Sequence, residues 1–72
     1  MSKLRNMLYT SAKADKAKAL LTLELLEQNP AGIGDHSTED FYKNAEEALA
    51  MLADVDERLE TIEKYLDKKQ VI

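Results

Sequence analysis

Between Phe41 and Leu66 the apolar residues recur at alternating intervals of four and three: Phe41, Ala45, Ala48, Leu52, Val55, Leu59, Ile62 and Leu66. Such an unbroken heptad stripe restricts the segment to an α-helix that lays one continuous face against another helix. Ala45, Leu52, Leu59 and Leu66 take one core position of the repeat, and Phe41, Ala48, Val55 and Ile62 take the other. Running from Ser37 to about Lys68, the helix spans ~48 Å at ~1.5 Å per residue.

The partner for that face lies earlier in the chain. Both glycines and the only proline fall between Asn29 and Ser37. Pro30 lacks an amide proton and pushes Asn29 out of helical geometry, so a first helix, starting near residue 3, ends near Gln28. Its start could instead slip to Thr10 or Ser11. Ser37 opens the second helix: its hydroxyl can accept from the Asp40 amide while Asp40 reaches back, a capping box with Asp in place of Glu. Glu39 and Asp40 also set negative charge on the positive end of the helix dipole. A loop over 29–37 is short enough to join antiparallel neighbours. The reading is therefore all-α: one domain over residues 1–72, an antiparallel two-helix hairpin with helices at about 3–28 and 38–68. In that pairing Leu26 meets Phe41, Ala19 falls near Ala48, and Leu8 near Leu59.

Charge selects the same sense. Residues 1–18 hold Lys3, Arg5, Lys13, Lys16 and Lys18 against Asp15 alone. Residues 54–67 hold Asp54, Asp56, Glu57, Glu60, Glu63 and Asp67 against Arg58 and Lys64. Antiparallel folding brings these halves together. Exposed ion pairs stabilise little, so they set register and orientation more than they hold the fold.

The first helix carries more apolar surface than one partner can cover. Leu4, Leu8, Ala12, Ala19, Leu23 and Leu26 lie on one broad face; Met7, Ala14, Leu21 and Leu25 lie on another, and Leu20 on a third. A surface helix ordinarily has a single apolar stripe. A chain of 72 residues without cysteine has no disulfide or thiolate metal site to support so small a core. Both facts point to a second copy. The expected self-association surface comprises Leu20, Leu21, Leu25, Leu49, Met51 and Leu52, and the expected product is a homodimeric four-helix bundle.

The chemistry-bearing residues are sparse. A net charge of −4 argues against direct nucleic-acid binding. Neither a membrane-spanning run nor a signal peptide is legible, which predicts a soluble, cytoplasmic protein. Asp35, His36 and Ser37 carry the letters of a catalytic triad, but consecutive residues cannot form the required relay of hydrogen bonds. His36 with Glu39 and Asp40 offers too few ligands for a four-coordinate metal. Glu46 and Glu47 invite comparison with the magnesium-binding motifs of helical-bundle pyrophosphohydrolases, yet the acids that follow do not complete that pattern. No catalytic residue, cofactor or metal is therefore expected. The ten acids from Glu39 to Asp67 suggest one alternative, a decoy that imitates a nucleic-acid backbone and occupies a DNA-binding protein. Four interleaved bases weaken it: Lys43, Arg58, Lys64 and Lys68.

The run from Gly32 through Asp35-His36-Ser37-Thr38-Glu39-Asp40-Phe41 to Leu49, with Asp56-Glu57-Arg58-Leu59-Glu60 after it, resembles small uncharacterised helical proteins of tailed bacteriophages, including T4-like phages of marine bacteria. The resemblance covers mostly the loop and the second helix. It carries over no functional residue. It implies a small accessory protein acting in the cytoplasm of an infected bacterium, with a host or phage protein as partner. The functional expectation is a non-enzymatic interaction or structural module.

Overall fold

A computed structural model describes residues 2–28 and 38–67 of the chain. Two helices pack against each other, α1 over Lys3–Gln28 and α2 over Thr38–Tyr65. Residues 29–37 lie outside the described residues, and with them the expected loop, Pro30, His36 and the expected cap at Ser37. So does the tail, Val71 and Ile72.

Ser2 sets the start of α1. Its Oγ accepts the Arg5 amide at 2.9 Å, and its carbonyl accepts the Asn6 amide at 3.1 Å. A serine at this place satisfies a donor that the first turn leaves open. The start therefore does not slip to Thr10 or Ser11. At the other end of the hairpin, the amides of Leu66 and Asp67 both donate to the Ile62 carbonyl, at 2.8 and 3.0 Å. The wider second bond takes the chain out of helical geometry after Tyr65.

The core follows the α2 stripe. Ala48, Val55 and Ile62 are buried, Val55 completely, while Phe41, Ala45, Leu52 and Leu59 are half-buried beside them. Leu66, the last member of the repeat, is 47% exposed because the helix has already ended. From α1 come Ala12 and Ala19, each 1% exposed. Small side chains at these two sites permit a close approach of the helix backbones.

The α1 face differs from the one expected. Leu4 is 61% exposed and Leu8 38% exposed. Arg5 and Tyr9 turn inward in their place, so the covered residues are Arg5, Tyr9, Ala12, Asp15, Lys16, Ala19, Leu23 and Leu26. Apart from Asp15, beside Lys16, this set alternates by four and three, as the α2 stripe does. A heptad register thus runs through two cations and a tyrosine, and the apolar Leu4 and Leu8 fall beside it. The pairing along the hairpin shifts accordingly. Ala19 and Ala48 share one groove, as expected. Leu8 lies with Ile62 and Leu66, and Leu59 with Tyr9, Lys13 and Lys16.

Neither described helix is long and apolar enough to cross a membrane. Val55 is the largest side chain that is fully buried, so Val55→Ala should cost about 2 kcal/mol of unfolding free energy. Urea titration at fixed chain concentration measures it, and an unchanged midpoint would contradict the assigned core.

Candidate interaction surface

Charged side chains edge the seam and tie the helices together. Arg5 sits at a heptad position of α1 with its side chain only 14% exposed. Its guanidinium clasps the Asp67 carboxylate through both Nε and Nη2, the latter at 2.6 Å. The ring of Tyr9, one turn along α1, lies 4.3 Å from the guanidinium carbon. The cation is thus held between a carboxylate and an aromatic face, which is what makes its burial tolerable. Hydrogen bonding from Arg5 holds the Asp67 carboxyl below the usual carboxylate range, against the opposing effect of desolvation. Further along, Lys16 pairs with Asp56 at 3.4 Å. Arg58 bridges Asp15 at 3.0 Å and Asp54 at 3.1 Å, and hydrogen bonding to Asp15 is the main reason its own pKa is raised. The Arg5–Asp67 and Lys16–Asp56 contacts join the basic end of α1 to the acidic end of α2, the sense that the charge pattern selects, whereas Arg58–Asp15 pairs the helices the other way round.

Shallow grooves lined by described residues flank the seam. Two open on one side of the hairpin. The first is lined by Leu8, Ser11, Ile62, Tyr65 and Leu66, with Arg58 and Asp54 at its border. The second is lined by Ala19, Thr22, Leu26, Ala48 and Met51. On the other side Tyr9, Lys13 and Lys16 face Asp56, Glu60 and Glu63. No His or Cys is among the described residues that line them. Among the described residues no group of three His, Cys, Asp or Glu is placed to hold a metal ion.

What the described surface offers is apolar area. Eleven large hydrophobic side chains are 38% exposed or more, from Leu8 at the lower limit to Tyr65 at 67%. That exceeds the five residues of the buried core. The six residues expected to form one self-association surface are spread around the hairpin. Leu52 is half-buried in the seam. Met51, 41% exposed, borders the groove of Ala19 and Leu26. Leu20 follows Lys13 and Lys16 by seven and four residues, and Leu49 precedes Asp56 by seven, so helical spacing puts both on the opposite flank. Leu21 and Leu25, 55% and 49% exposed, lie on the outer side of α1.

That outer side contains a pattern which reading the apolar residues alone misses. Leu4, Met7, Ser11, Ala14, Lys18, Leu21 and Leu25 repeat at intervals of three and four without a break, and all seven are exposed. At ~100° per residue the stripe lies roughly 150° around the helix from the seam. Besides the face used within the chain, the helix therefore carries an exposed outer face with Leu4 and Met7 at one end and Leu21 and Leu25 at the other. The mixed polarity of both, with Arg5 and Lys16 in one and Ser11 and Lys18 in the other, conceals them from a search for hydrophobic runs.

No family model, curated protein or solved structure matches this chain.

The Asp67 contact has a pH signature. A carboxyl whose pKa is lowered on folding stabilises above its unfolded pKa, and the contribution is lost as pH falls through the folded value. Asp67→Asn should therefore lower the thermal midpoint at pH 7. The gap from the parent should close as the pH drops below the ordinary carboxylate range. A gap that stays constant through this acid range would show that the Arg5–Asp67 clasp contributes nothing.

Proposed function

We propose that this chain is a non-enzymatic protein–protein interaction or structural module that completes its core with a second copy of itself. The observation that supports this is the exposed apolar surface of the described residues, larger than the buried core it surrounds. A hairpin of two helices conceals one stripe on each, and a domain this small rarely has hydrophobic burial to spare. The product is a homodimer of four helices, a four-helix bundle in which the hairpin is the repeating half. By the likeness of its second helix to small phage proteins, the setting is the cytoplasm of an infected bacterium. The assembled dimer then presents the acidic side of α2 to a host or phage protein.

The competing reading, an acidic decoy of a nucleic-acid-binding protein, is disfavoured by the ion pairs. Asp54, Asp56 and Asp67 are engaged by Arg58, Lys16 and Arg5, so the charge that would imitate a phosphate backbone is partly neutralised within the chain.

Sedimentation equilibrium from micromolar to millimolar chain should give the mass of two chains, twice 8.1 kDa. A single-chain mass that persists at the top of the range would refute self-association.

A further inference from the structure

We propose that the second copy docks on the outer heptad stripe of α1, with the two α1 helices antiparallel about a twofold axis at Ala14. This rests on the self-association proposed above and names the surface and the geometry that carry it.

The stripe is complementary to its own reverse. When a helix is laid antiparallel on its copy so that paired residue numbers sum to 28 or 29, Leu4 meets Leu25 of the second copy and Met7 meets Leu21. Ser11 meets Lys18, and Ala14 meets Ala14. Large apolar residues fall on large apolar residues, a hydroxyl falls on an ammonium, and the smallest side chain sits on the axis, where helices must come closest. Every one of these positions is exposed in the single chain. A twofold interface requires this kind of self-complementarity, because the same patch serves both subunits.

Flanking charge agrees with the antiparallel sense. Lys3 and Glu24 occupy equivalent positions beside the stripe, both exposed, and reversal of one helix brings Lys3 of each chain alongside Glu24 of the other. Pairs at these flanking positions set orientation in coiled coils. A parallel arrangement would instead stack Lys18 on its own copy within the interface. Asp15 approaches its own copy near the axis, and Arg58, 3.0 Å away, neutralises it there.

Since the outer stripe and the intrachain seam lie on nearly opposite sides of α1, the dimer is a flattened bundle. Its helices follow the order α2, α1, α1, α2, with the acidic α2 surfaces outermost.

Two experiments test this on the full chain. The chain has no cysteine of its own, so Ala14→Cys and Ala50→Cys each introduce a single thiol, the second on the exposed side of α2. Under mild oxidation Ala14→Cys should form a disulfide dimer readily, since thiols on the axis fall within bridging distance, and Ala50→Cys should not. Separately, Lys3→Glu and Glu24→Lys should each weaken the dimer about fivefold, because two pairs per dimer become repulsive. An equimolar mixture of the two variants should recover the parent affinity, since each supplies the charge that the other lacks. A parent that dimerises while Ala14→Cys fails to cross-link, or while the mixture shows no recovery, overturns this interface and leaves self-association standing. A monomeric parent overturns both.

Discussion

An α-helix hairpin can hide only one stripe on each of its two helices, and the rest of this structure answers to that constraint. Here α2 spends its heptad face from Phe41 to Ile62 on α1, with Val55 fully buried and Ala12 and Ala19 the buried residues of α1. The alanines permit a close approach but contribute little apolar area of their own. The single chain therefore has a narrow core, and side chains such as Met7, Leu21 and Leu49 are left on its surface. The chain has no cysteine to add a covalent link.

Polar contacts decide how the narrow core is aligned. One-turn slips between two heptad faces cost little when many of the facing residues are alanine. Arg5 makes such a slip expensive, because its guanidinium is matched in both shape and charge to Asp67 and is covered by Tyr9. Displacing the helices by a turn would leave a partly buried cation without its carboxylate. Asp15, reaching across to Arg58, reverses the prevailing charge sense of the two helices and so marks a second point of register. These contacts give specificity to a seam whose apolar groups are nearly interchangeable.

The architecture was legible in the sequence wherever apolar periodicity and charge pointed the same way. The eight-residue stripe of the second helix predicts the α2 face, and the opposed charge of residues 1–18 and 54–67 predicts its antiparallel partner. The α1 face was legible only in part. Hydrophobicity favours Leu4 and Leu8, whereas the structure turns Arg5 and Tyr9 inward, and a cation can take a seam position only when its partners are known. Those partners are 62 residues away in the case of Asp67, beyond the reach of local pattern. The same blindness hid the outer stripe, because Ser11 and Lys18 interrupt its apolar run.

In the proposed dimer α1 presents two faces, one used within the chain and one between chains. Isotope-filtered nuclear Overhauser spectroscopy on a mixture of labelled and unlabelled chain tests both faces in one sample. Methyl contacts between Ala19 and the α2 seam should appear within a chain, and contacts between Met7 and Leu21 should appear only between chains. Intermolecular contacts confined to Leu20, Tyr42 or Leu49, or none at all at millimolar concentration, would contradict the account.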